Sequence, residues 1–203
     1  MVTKDLLLKQ GDTYAVTLRW EVPPVVYKPI QAISQAAPVQ ITAAGHGLPD
    51  GWRVAVTNVK GMTQINASDP SRIRDKDYHQ ATLVDGNNIT LNDVNASGFS
   101  AYTSGGVLQY NTPVNLTGFS FALRLKTKAG GTLLASNLLA DAPLNTLTVS
   151  VDLTLHTITP VFSAAATTAL AGTSGVYELE AISPDTTPIV TPLLAGKFSC
   201  VRE

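Results

Sequence analysis

The sequence is short of charge, of cysteine and of long apolar runs, and each shortage removes a class of function. Charged residues make up 14% of the 203 positions, where about 25% is usual for a soluble domain. The 14 basic and 15 acidic residues are dispersed and leave a formal net charge of −1. There is thus no basic block of the kind that tracks phosphates or an anionic membrane, and neither nucleic acid nor membrane is expected as a partner. The single cysteine, Cys200, excludes an internal disulfide and a thiolate metal cluster, and it fits a chain made in a reducing compartment. No stretch approaches the roughly 18 apolar residues that suggest a membrane-spanning helix. Near the start, Leu6, Leu7 and Leu8 are closed off by Lys9 and Asp12, a run too short for the apolar core of a signal peptide.

Catalytic patterns are scarce as well. His46, His79 and His156 are scattered, with no pair at metal-ligand spacing. Nucleophile-elbow, P-loop and dinucleotide-binding glycine patterns are missing. Gly105-Gly106 and Gly130-Gly131 have no helix after them to cradle a phosphate, so both read as hairpin turns. Asp69, Asp75 and Asp77 have Arg72, Arg74 and Lys76 among them and lack the glycine and terminal glutamate of an EF-type calcium loop. No carboxylate pair is placed for glycoside hydrolysis. No catalytic residue, cofactor-binding residue, cofactor or metal ligand is therefore expected, and the chain reads as a non-enzyme. His46, between Gly45 and Gly47, reads as a turn residue bonded to backbone. Phe99 and Tyr102 read as core packing rather than a sugar-stacking platform, and Cys200 as a small core hydrophobe.

What the sequence does have is alternation. Tyr14, Val16, Leu18 and Trp20 alternate with polar or small residues, as do Phe119, Phe121, Leu123 and Leu125. A third series runs through Leu147, Val149, Val151, Leu153 and Leu155, and a fourth through Tyr177, Leu179 and Ala181. Phe198 and Cys200 continue the pattern near the end. Period-two patterning gives strands with one apolar face, which belong to antiparallel sandwiches or barrels. The expected shared core is Trp20, Phe121, Leu123, Val149, Val151, Leu153, Tyr177, Leu179 and Phe198. Val151→Asp should on this reading do far more damage than Thr148→Asp. Ser183-Pro184-Asp185 predicts a hairpin turn. Ser163 predicts the N-cap of a short helix that Gly172 stops.

Between Pro23-Pro24 and Pro113 the pattern changes to five shorter strands with Gly- and Asn-rich turns: Val39–Thr42, Trp52–Thr57, Gln80–Val84, Ile89–Leu91 and Val107–Tyr110. These predict a small barrel-like domain over 26–112, inserted into a domain made of 1–25 and 113–203.

The segments Gly11–Trp20, Pro113–Lys126, Ser163–Leu170 and Gly175–Asp185, with the closing LLAGKFSCVRE, together resemble an immunoglobulin-like domain of tailed-bacteriophage structural proteins, including baseplate proteins. The Ala-Gly-His-Gly-Leu, Gly-Met-Thr and Tyr-Thr-Ser-Gly-Gly pieces within Pro38–Gly106 resemble a β module of phage tail and fibre proteins that is often labelled after a domain of ubiquitin-activating enzymes. The resemblance implies an immunoglobulin-like antiparallel β-sandwich with an inserted small β-barrel-like domain. It implies a virion structural component of the tail, baseplate, head–tail connection or capsid decoration, made in the host bacterial cytoplasm. Its partners would be other virion proteins, in a homo-oligomer or multi-copy arrangement, and it would carry no ubiquitin chemistry. The alternative is a host-receptor or glycan-binding module of the tail; a cell-wall-degrading enzyme is a third reading. Against the resembling modules, the segment from Ala67 to His79 is a long addition with six charged residues in thirteen. Arg72, Arg74, Asp75, Lys76 and Asp77 are accordingly candidates for contact with a neighbouring subunit, orienting it through mixed charge.

Overall fold

The computed structural model describes residues 2–71 and 76–202. It is all-β apart from one short helix and two single turns of 3₁₀ helix among the described residues. The chain divides into two compact units: Met1–Trp20 with Asn115–Glu203, and Glu21–Val114.

The first unit is a sandwich of a six-stranded and a four-stranded sheet. Ser120–Lys126, Ser174–Ile182 and Val190–Val201 form the antiparallel centre of the larger sheet, in register through Leu123↔Leu179 and Leu179↔Leu194. Their inward residues Leu123, Leu125, Tyr177, Leu179, Phe198 and Cys200 are buried, as alternation requires. The sandwich departs from a purely antiparallel plan at its start, where Val2–Thr3 and Leu6–Lys9 both pair parallel with Val190–Val201. Leu6 and Leu8 face the core while Leu7 is 68% exposed. Three identical residues in a row cannot show period two, so this strand was invisible in the sequence. Tyr177 donates its hydroxyl to the Lys4 carbonyl at 2.5 Å, and burial is the main reason its pKa is pushed up to about 12.

The second sheet corrects part of the expected core. The apolar series from Leu147 to Leu155 outruns its strand, which is Thr148–Asp152. The Asp152 carboxylate accepts the Thr154 and Leu155 amides at 2.8 and 2.9 Å, an Asx turn that sends the chain back. It returns as Thr157–Phe162, a strand hidden in the sequence by Pro160. That returning strand buries Ile158 and Phe162, whereas Val151 is 37% and Leu153 52% exposed. Both were expected inside. Val151 stands in the edge strand of its sheet, with a paired strand on one side only, and Leu153 lies in the turn that follows. Ser163 caps the helix Ala164–Ala169 by accepting the Ala166 amide, as its hydroxyl predicts.

The second unit is one seven-stranded sheet in the order Glu21–Pro29, Ser104–Pro113, Arg53–Lys60, His79–Leu83, Asn88–Leu91, Val39–Thr42, Ala32–Ile33. It encloses a single core that includes Val39, Ile41, Trp52, Val54, Val56, Met62, Ile89, Leu91 and Leu108. The first strand was not expected. Pro23 and Pro24 sit where the register against Asn111 and Thr112 shifts, a bulge at which neither missing N–H is needed. This strand and the pair Glu21↔Pro113 move the limits of the unit to residues 21 and 114, from the expected 26 and 112.

Burial fixes the size of the mutational effects. Leu123→Ala removes a fully buried side chain and should lower unfolding free energy by about 2–5 kcal/mol. Val151→Asp should cost less than that, because its site is open to water. Urea denaturation of both variants at low protein concentration checks the order; equal losses would place Val151 in the core after all.

Candidate recognition surface

The sequence motifs of the second unit hold its turns. His46 is 1% exposed; its Nδ1 accepts the Leu48 amide at 3.1 Å, and its Nε2 lies 2.9 Å from the Asp85 carbonyl. Since Nδ1 accepts, the proton belongs on Nε2, which donates to Asp85. Tyr110 donates its hydroxyl to the His46 carbonyl. Asn66 clasps Val59 with both ends of its amide, accepting from the Val59 amide at 2.8 Å and donating to its carbonyl at 3.0 Å. Gly61 of the Gly-Met-Thr piece has φ +82°, and a Cβ there would lie 2.2 Å from the Ala101 carbonyl oxygen. Only glycine fits that crossing. Tyr102 bonds to the Ile30 and Gly105 carbonyls at 3.1 and 3.0 Å, and with Phe99 it packs on the core.

The outer face of the same sheet is where these elements leave something open. Tyr27, Gln109 and Ala55 stand abreast on three neighbouring strands, with Val107 and Thr57 one step along. Tyr27 is 59% exposed, while Ala55, Thr57 and Gln109 are buried. The base of the charged segment covers Gln109. Gln109 Nε2 donates to the Pro70 carbonyl at 2.8 Å and to the Tyr78 hydroxyl at 3.1 Å, and that hydroxyl donates to Pro70 at 2.8 Å. Beside this clamp a cavity of about 690 Å³ is lined by Tyr27, Thr57, Asn58, Asn66, Ala67, Pro70, Val107 and Gln109. Its polar walls are mostly amides and hydroxyls, so it offers hydrogen bonds and an aromatic face with no fixed charge of its own.

Of the candidate contact residues, Arg72, Arg74 and Asp75 lie outside the described residues. Lys76 is exposed. Asp77 turns inward, accepting the Ser68 hydroxyl at 2.9 Å and the Asp69 amide at 2.8 Å. Those hydrogen bonds hold its carboxyl below the usual carboxylate range. Asp69 in turn accepts from Ser71, so both described carboxylates serve the loop's own shape. No group of three metal-ligating side chains occurs among the described residues. His79 Nδ1 pairs with Asp93 at 2.8 Å on the surface, and His156 sits at φ +51° in the turn after the edge strand. Cys200 is 2% exposed, its thiol lies 3.2 Å from the Thr167 carbonyl, and burial pushes its pKa up. Tyr27 was missed in the sequence because its proline-flanked segment reads as a boundary. The β-forming run Val25-Val26-Tyr27 was the available signal.

The second unit is thus a self-braced all-β module whose outer sheet face leaves Tyr27 open. Comparison with known families places the module: residues 37–110 match the FCCH domain of ubiquitin-activating enzyme E1. That span is about a third of the chain. No curated protein matches the chain. The match corrects the expected identity. It names a domain of a ubiquitin-activating enzyme, so the reading as a tailed-phage virion protein is withdrawn, together with the virion location and the host-receptor or glycan-binding alternative.

Two substitutions separate bracing from binding. Asn66→Ala strands the buried Val59 amide and carbonyl and should cost about 1–3 kcal/mol. Tyr27→Ala, at an exposed edge position, should fall within about 0.5 kcal/mol of the parent. Thermal and urea unfolding check both; a large loss at Tyr27 would make it a folding residue.

Proposed function

We propose that the chain is a non-catalytic binding protein, and that its FCCH-like module holds a protein partner on the outer sheet face around Tyr27. The observation that carries this reading is the contrast on one face. Gln109 is covered by the chain's own Pro70 and Tyr78, while Tyr27 beside it is left 59% exposed over a cavity. An exposed tyrosine rimmed by amides suits a protein interface: its ring adds apolar area at small entropic cost and its hydroxyl can still bond. The family match supports the same reading, since it is to one domain of an enzyme and spans only the module.

Thioester chemistry within these residues would need an accessible thiolate, and the sole cysteine is buried with a raised pKa. Incubated with ATP, magnesium and ubiquitin, the protein should release no pyrophosphate and form no thiol-sensitive adduct. The Cys200 thiol should react with Ellman's reagent slowly when native and at once in guanidinium. Either product from the parent protein would reverse the non-catalytic assignment. The binding surface is tested by placing a photo-crosslinking phenylalanine analogue at Tyr27 or at exposed Lys60. A defined adduct from Tyr27 and none from Lys60 is the expected result; equal labelling from both positions would dissolve the proposed site.

A further inference from the structure

Among the described residues, the edge strand Thr148–Asp152 pairs only with Thr157–Phe162. Val149 stands opposite Pro160 in that ladder, and proline has no N–H to give. The pair is therefore of the non-hydrogen-bonded kind, so Ser150 turns its backbone groups toward Thr159, and Val149 and Val151 turn theirs away from the sheet. Consistently, the Pro160 carbonyl serves Val16 on the other side, at 3.3 Å. Among the described residues, nothing bonds the outward amides and carbonyls of Val149 and Val151.

Exposed edges of this kind are normally blunted with proline, lysine or a bulge. This chain does so elsewhere: the edge strand Glu21–Pro29 has two prolines at a bulge, then Lys28 and Pro29. Thr148–Asp152 has no proline, no lysine and no break in register, and it leaves Val151 half-open on the inner face.

We infer that this edge pairs with the same edge of a second copy of the chain, antiparallel about a two-fold axis through Ser150. The sequence Thr-Val-Ser-Val-Asp reads nearly the same in both directions, which is what an isologous strand pair requires. With Ser150 facing Ser150, each Val149 faces the other copy's Val151. The residues that then face each other as hydrogen-bonded pairs are the ones whose backbone groups point outward. Ser150 meets Ser150 as a close, non-hydrogen-bonded pair. The exposed Val151 side chain gains Val149 of the second copy as its neighbour, and Asp152 lies across from a threonine hydroxyl instead of another carboxylate. A register slipped by one residue would place Val149 opposite a residue whose backbone groups face inward, so the symmetric register is favoured.

The test uses the full chain. Sedimentation from low micromolar to near-millimolar concentration should show a monomer–dimer equilibrium. Val151→Pro removes an amide that the monomer does not use, so it should keep the melting temperature and abolish the dimer. Ser150→Cys should form a disulfide-linked dimer under mild oxidation, since a close strand pair brings Cα atoms to about 4.5 Å, within disulfide reach. Thr148→Cys should not, because the symmetric register separates its two copies along the strands. The native Cys200 is buried and gives no background. A protein monomeric at every concentration, or crosslinking as fast through position 148 as through 150, overturns the inference. Ser150→Cys leaves the backbone intact and decides the matter if the proline variant fails to fold.

Discussion

Backbone groups that strand pairing cannot satisfy are the constraint around which the second unit is built. A sheet of seven short strands has many turns, and each turn leaves amides and carbonyls without ladder partners. The sequence, with one cysteine, has no internal crosslink with which to fix those turns, and among the described residues of this unit Arg53–Glu21 and His79–Asp93 are separate pairs rather than a network. It uses short polar side chains and one imidazole instead. Asn66 closes the turn onto Val59, His46 ties Leu48 to Asp85, and Asp85 itself gathers the Asn87 and Asn88 amides at 2.7 and 2.9 Å. An unpaired buried group costs about 1–3 kcal/mol, so where these bonds serve buried backbone, as at Val59 and Leu48, the small residues hold the turns along with the apolar core.

This division of labour explains what could be read from the sequence. Period-two patterning marks a strand only when apolar and polar residues alternate and no proline intervenes. Ser120–Lys126 and Ser174–Ile182 meet that condition and were legible. Leu6–Lys9, Glu21–Pro29 and Thr157–Phe162 break it, through a leucine run and through prolines. The opposite error occurred at Val151, where the alternation is real and on the expected face but the strand is at an edge, and at Leu153, which falls in the turn beyond that strand. Facing inward and being buried are different properties, and the second depends on a neighbour that one sequence cannot show.

The same limit applied to function. The turn motifs were legible as a module because the fold needs them, and for that reason they say little about what the module does. Tyr27, which no turn requires, gave no motif. The phage assignment rested on the module's company as much as on its residues. The match to an FCCH domain bears on residues 37–110 and leaves the flanking sandwich to be understood from its own geometry.

The two tryptophans of the chain fall one to each unit. Trp20 packs edge-on against Phe119 with ring centres 5.4 Å apart and remains partly open to solvent. Trp52 is 0% exposed and donates its ring N–H to the Asn111 carbonyl at 3.1 Å. An indole sealed in a core and one at its margin emit at different wavelengths, so the native protein carries two distinguishable intrinsic fluorophores. Each reports on its own unit, and the order in which the units come apart is written in the colour of the light.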